Sequence, residues 1–163
     1  MRNREEIDFE KEDIDYLYWL SGSLAGAIQA SQGDPQYLID LPNIKWLLEN
    51  AIAVDPNWQN GTLSAAMMSV YLNDLSGDKN AQKKALSYFD LAEKQSNGLN
   101  ASIYVTLAEN YAVSKQNKQL FIELLDKAIN IDVNRDKSLK QSNKLSQSRA
   151  KWLKSRVDDL FYM

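Results

Sequence analysis

Carboxylates are the side chains of this sequence best suited to chemistry, because its 163 residues include no Cys and no His. Thiol nucleophiles, Ser-His-Asp and Cys-His catalysis, disulfides, and thiolate or imidazole metal ligands are therefore excluded. Asp158 and Asp159 are adjacent, so on a helix they point about 100° apart and cannot act together as an acid and a base. We expect no catalytic residue and no cofactor, and the composition favours a binding protein.

Two further acidic features of the sequence bear on metal binding and on ion pairing. Asp74, Asp78 and Asn80 offer oxygen ligands for a hard cation, but their spacing matches no EF-hand loop, so we expect no metal site. Glu109 lies in a mainly apolar segment, and Arg149 is expected to reach it from the last helix. The alternative is that Arg149 is an ordinary exposed side chain.

Charge limits the classes of partner. The chain carries 19 Lys and Arg against 22 Asp and Glu, a net charge of −3, which argues against nucleic acid as a partner. Residues 1–12 are interpreted as a solvated acidic leader. A basic stripe near the other end could contact an anionic head group or an acidic partner, although such stripes are most often plain polar helix faces. Its members are Lys137, Lys140, Lys144, Lys151 and Lys154.

Helical periodicity runs through the chain, and six Gly and three Pro leave few interruptions. The sequence predicts an all-α fold of about seven helices. They begin near residues 13, 40, 61, 80, 100, 117 and 138, with Gly33 and Gly77 as breaks and Asp40, Asn100 and Asn117 as side-chain caps. Residues 16–33 carry no charge but are too polar for a membrane span. Gly22 and Gly26 are expected to let a neighbouring helix approach closely.

The predicted helices form similar pairs. Tyr104, Leu107, Ala108 and Tyr111, followed by Phe121, Leu125 and Ala128, have the tetratricopeptide spacing of aromatic, Leu and small residues. Ala51, Ala92 and Ala128 fall at equivalent positions, 41 and 36 residues apart. We therefore predict three helix pairs over residues 13–137, stacked as a short superhelix. Residues 138–163 form a capping helix of the same domain, whose apolar stripe includes Leu145, Trp152 and Leu153.

The same register predicts what faces the hollow of the superhelix. Its lining is small and apolar, and none of the three first helices contains Lys or Arg, so a basic clamp for a peptide carboxylate is excluded. Such a hollow fits an apolar ligand or an apolar protein surface. Packing between helices is the alternative for each residue. The predicted lining residues are Leu17, Leu20, Leu24, Ala65, Leu72 and Val105.

Several motifs together resemble one family. They are Gly77-Asp78, Ala85-x3-Phe89, Ala108-Glu109-Asn110-Tyr111-Ala112, Asn143, Gln147-Ser148-Arg149-Ala150-x-Trp152-Leu153 and Val157-Asp158-Asp159-Leu160-Phe161. In order and spacing they are similar to the T-component family of tripartite ATP-independent periplasmic (TRAP) transporters. The resemblance extends from about Asp34 to Phe161 and is most specific in the last helix.

The resemblance implies a non-enzymatic periplasmic lipoprotein that forms a homotrimer. It further implies that the protein binds the transporter's substrate-binding P-component and a hydrophobic ligand in a pore, for which Glu109, Asn110 and Tyr111 would form a polar gate. The chain carries no signal peptide and no lipid-acceptor Cys, so we expect either part of a longer, lipid-anchored precursor or an unusually short member. A general tetratricopeptide scaffold without a small-molecule ligand is the alternative function.

Overall fold

The computed structural model describes residues 7–32, 34–74 and 78–162. Those residues form helices and connecting turns, with no strand among them, which confirms the predicted all-α class. The helices are α1 (Ile14–Ala30), α2 (Pro35–Leu38), α3 (Leu41–Val54), α4 (Thr62–Leu72), α5 (Ala81–Gln95), α6 (Ala101–Leu107), α7 (Lys118–Asn130), α8 (Lys140–Ser155) and α9 (Val157–Leu160). Single 3₁₀ turns precede α1 and α4, at Lys11–Asp13 and Trp58–Gly61.

Polar side chains fix several helix ends as predicted. The Asn100 side chain accepts from the Ser102 amide at 3.0 Å, and the Asn117 side chain accepts from the Leu120 amide at 3.0 Å. These bonds satisfy amides that the first helical turn leaves without partners. The predicted Asp40 cap is wrong, because the Asp40 carboxylate instead accepts from the Asn43 side-chain amide.

Three helix pairs make up the body of the protein: α1 with α3, α4 with α5, and α6 with α7. The three equivalent alanines, Ala51, Ala92 and Ala128, are all buried, each in the second helix of its pair. Small side chains at these positions allow the close crossing that the repeat pattern requires. One core cluster fills the space between the first two pairs, and a second cluster joins the last two pairs to the end of the chain.

Helix α8 covers the third pair and contributes side-chain hydrogen bonds as well as apolar contacts. The buried Asn143 side chain accepts from the Ala101 amide at 2.9 Å and donates to the Leu99 carbonyl at 2.7 Å. Gln147 donates to the Ile131 carbonyl at the end of α7. Ala150 and Leu153 are the buried apolar residues of α8. The predicted stripe is wrong at Leu145, which is 75% exposed, and at Trp152, which is exposed as well.

Some predicted boundaries differ from the structure. The last helix breaks at Arg156, which has non-helical φ and ψ, so its final turn is the separate α9. Helix α6 continues as a π-helical turn over Ala108–Ala112. The short α2 was not anticipated. The predicted breaks at Gly33 and Gly77 lie outside the described residues.

Candidate ligand groove

A groove of about 770 Å³ lies between α1, α3 and α4. Its volume falls in the range of roughly 300–1,000 Å³ typical of small-molecule sites. The three helices meet in this way because α1 and α4 both pack on α3, through the buried residues Ile14, Leu17, Ile44, Leu48 and Met67. The groove is the space left between α1 and α4 above α3.

Part of the wall formed by helix α1 consists of residues with minimal side chains. Gly22, Ala25 and Gly26 all line the groove, at helical spacing along one face. A Cβ atom added at Gly22 or at Gly26 would meet no atom within 4 Å. The expected close approach of a neighbouring helix to these glycines is therefore wrong within the described chain, and the space beside them is the groove.

The floor and one end of the groove are apolar and aromatic. Ile44 and Leu48 of α3 form part of the floor. Tyr18 lies at one end, with its ring 5.3 Å from that of Trp19 and 5.1 Å from that of Trp58. Burial raises the pKa of the Tyr18 phenol, so this group stays neutral at physiological pH. The end is thus aromatic and uncharged.

The other end of the groove is polar. Ser69, Asn73 and Asp74 line it from α4 and the residues that follow. The Asp74 carboxylate is 1% exposed and accepts from the Lys45 ammonium at 2.6 Å. The Lys45 ammonium also lies 4.8 Å from the centre of the Tyr71 ring. Because this carboxylate is paired, the polar end offers dipoles and a neutralised ion pair rather than a free charge.

The structure brings one of the predicted lining residues, Leu72, to the groove. Leu17 and Val105 are buried in the two separate core clusters, and Leu24 and Ala65 are partly buried against them. Leu20 is 52% exposed and lies outside the groove lining. Leu17 belongs to one cluster and Leu24 packs on it, Val105 belongs to the other, and Leu72 packs against both.

The predicted polar gate lies on the π-helical turn at the end of α6, outside the groove lining. The Asn110 side chain donates to the Thr106 carbonyl, and Tyr111 packs on the core of the third pair. The Glu109 carboxylate accepts from the Arg149 Nη2 at 2.5 Å and from its Nε at 3.1 Å, which confirms the expected contact. The Arg149 guanidinium also lies 4.3 Å from the Trp152 ring centre.

Among the described residues that line the groove, Asp74 supplies the single carboxylate, and that carboxylate is paired with Lys45. In the described ranges no three acidic side chains cluster closely enough to hold a metal ion. Every described helix is too short or too polar to span a lipid bilayer.

Sequence reasoning missed most of the lining, including Tyr18, Trp19, Gly22, Ala25 and Gly26. The sequence feature that could have revealed them is the uncharged stretch over residues 16–33, for which the sequence predicts a face that packs against a neighbouring helix. The missing information was whether a neighbouring helix lies beside the glycines.

The sequence profile of the TRAP transporter T-component family matches residues 5–161. A protein of Treponema pallidum (strain Nichols), described as an uncharacterized protein, is 25% identical over 149 residues. That alignment covers 91% of this chain and 46% of the relative, so the chain spans about half of the relative's length. A T-component is an accessory part of its transporter. Since the profile covers nearly the whole sequence, the chain belongs to the TRAP transporter T-component family.

Proposed function

We propose that this protein is a non-enzymatic accessory component of TRAP transport, which holds a hydrophobic ligand in the groove between α1, α3 and α4. Family membership supports the transport role. The observation that carries the ligand assignment is the wall at Gly22 and Gly26, where about 770 Å³ of space lies against an apolar floor.

The shape and chemistry of the groove define the class of ligand. An aromatic end at Tyr18 and Trp19 and an apolar floor suit a hydrocarbon chain or a ring system. Ser69, Asn73 and the Asp74–Lys45 pair supply hydrogen-bonding groups at the other end. The matching ligand is a mainly apolar small molecule with one neutral polar group.

The working context follows from the family. The protein would act in the periplasm, as a homotrimer, and would bind the substrate-binding P-component of the transporter through its outer surface. A lipid anchor would hold it at the membrane. These assignments rest on membership in the T-component family.

The test is native mass spectrometry of the purified chain, followed by denaturing extraction of whatever it holds. We expect release of an apolar molecule, and we expect Leu72→Glu to abolish its retention because an additional, unpaired carboxylate would then enter the groove beside Asn73 and Asp74. Leu91→Glu, at an exposed site on α5, is the matched control and should keep the molecule.

Binding of the P-component is measured separately, by mixing the chain with the substrate-binding protein of the same transporter and following co-elution. An empty groove together with binding of a linear peptide would refute the ligand assignment and favour the scaffold function. A filled groove without co-elution would leave the ligand assignment standing and refute the direct contact with the P-component.

A further inference from the structure

The charged residue of the groove lining lies at the polar end, next to a partner of opposite charge. Among the described lining residues, Asp74 is the one that is charged at neutral pH, and none is Lys or Arg. The Asp74 side chain is 1% exposed and lies 2.6 Å from the Lys45 ammonium, whose side chain is 22% exposed. A charged head group would therefore lose its hydration at this end without meeting an unpaired counter-charge.

The neutral polar side chains beside this pair have donors that the fold already uses. The Ser69 hydroxyl donates to the Ala65 carbonyl at 3.1 Å, and the Asn73 side-chain amide donates to the Ser69 carbonyl at 2.8 Å. Within the described chain, no donor reaches the Ser69 Oγ or the Asn73 Oδ1. Both oxygens line the groove as acceptors, so they are suited to a ligand group that donates a hydrogen bond.

The length of the groove and its remaining polar groups allow an amphiphile of medium chain length. The lining follows α1 from Tyr18 to Gln29, a distance of about 16 Å at the rise of an α-helix. Gln29 and Gln32 add two side-chain amides from the end of α1. Because an amide both donates and accepts hydrogen bonds, these two residues do not discriminate between head groups. The discrimination comes from Ser69, Asn73 and the ion pair.

We propose that the groove selects uncharged amphiphiles whose polar end donates a hydrogen bond, and that the Asp74–Lys45 pair makes it reject charged head groups. This inference rests on the proposed ligand function and names the head group. A hydroxyl or an amide N–H donates to Ser69 or Asn73. A carboxylate only accepts hydrogen bonds, so it can use neither oxygen. An ammonium donates, but its charge meets a carboxylate that Lys45 already neutralises.

Competition binding with four compounds of one chain length tests the selection. Decanol, methyl decanoate, decanoate and decylammonium differ in the head group, and each competes at neutral pH with the uncharged fluorescent probe phenylnaphthylamine. Decanol should bind about tenfold more tightly than either ion, because the ions lose hydration without compensation. Methyl decanoate is neutral but only accepts hydrogen bonds, so it should bind about threefold more weakly than decanol.

Two reciprocal variants test the role of the ion pair. Asp74→Asn leaves the Lys45 ammonium without this carboxylate, so the affinity for decanoate should rise about tenfold while that for decylammonium does not. Lys45→Gln leaves the Asp74 carboxylate unpaired with a cation, so the affinity for decylammonium should rise about tenfold while that for decanoate does not. Circular dichroism checks the fold of each variant, and the ranking on the wild-type chain is an independent test.

The matched control is Asp78→Asn, which breaks a second Asp–Lys pair, with Lys84 at 2.9 Å, outside the groove lining. It should keep the wild-type ranking. Either ion binding as tightly as decanol to the wild-type chain would overturn the inference and leave the proposed ligand function standing. Equal binding of decanol and methyl decanoate would overturn the preference for a donor. If the probe and all four compounds fail to bind, both the proposed ligand function and the inference are refuted.

Discussion

Substitutions at Gly22 and Gly26 should move stability and ligand retention in opposite directions. Both glycines lie inside α1, and a Cβ atom at either position meets nothing within 4 Å. Glycine inside a helix is about 0.5–1 kcal/mol less favourable than alanine, chiefly because it loses more backbone freedom on folding. The double variant Gly22→Ala/Gly26→Ala should therefore gain about 1–2 kcal/mol in the free energy of unfolding.

For a chain of this length that gain corresponds to a rise in Tm of about 3–6 °C, measured by circular dichroism or calorimetry. Gly26→Leu should keep its share of the gain, because leucine is also a strong helix former. Its side chain would extend into the groove, so the extracted apolar ligand should be lost while the protein becomes more stable.

The matched control is Ala53→Leu, which adds the same side chain at an exposed position of α3 outside the groove lining. It should retain the ligand. A fall in Tm for the alanine variants would refute the open space beside α1. Full ligand retention by Gly26→Leu would refute the groove as the binding site.

Three further substitutions test contacts that hold the repeat together. Gly61→Ala should lower the free energy of unfolding by about 2–5 kcal/mol in urea titrations. The reason is that Gly61 has φ +89° and that an added Cβ would lie 2.8 Å from the Gln95 Cβ. A loss under about 1 kcal/mol would contradict this. Asn143→Leu should lower the free energy of unfolding by about 2–5 kcal/mol, because it leaves the Ala101 amide and the Leu99 carbonyl buried without a partner. The control Gln141→Leu, at an exposed site of the same helix, should change the free energy of unfolding by less than about 0.5 kcal/mol. A double-mutant cycle of Glu109→Gln and Arg149→Gln should give a coupling of about 0.5–1 kcal/mol that shrinks in high salt, because both groups are partly exposed. Zero coupling at low salt would show that this ion pair does not contribute to stability.

Local signals in the sequence were sufficient to predict the helices and their pairing. The Asn100 and Asn117 caps act within three residues of themselves, so their effect does not depend on distant packing. Ala51, Ala92 and Ala128 recur because each pair needs a small side chain at its crossing, and all three are buried as expected. Asp40 failed as a cap because Asn43, one turn later, competes for the same carboxylate.

The rotation of α1 about its own axis could not be predicted in the same way. In an amphipathic helix, charged residues mark the solvent side, so the buried side follows from the sequence. Residues 16–33 carry no charge, and therefore the sequence alone does not distinguish a buried Leu17 from an exposed Leu20. In the structure Leu17 is buried and Leu20 is exposed, a difference that depends on where α3 lies. The groove was missed for this reason.

The composition of α1 is better explained by binding than by folding. Its core contacts need only the face that contains Ile14 and Leu17, because that face packs on α3. Alanine at Gly22 and Gly26, and charged side chains in place of Tyr16 and Trp19, would give a more stable and more soluble helix. Positions where a sequence departs from what stability and solubility favour are commonly those that function requires. The glycines open the groove and the aromatic residues border it or extend outward from it, so both departures fall on surfaces available to a ligand or to another protein molecule.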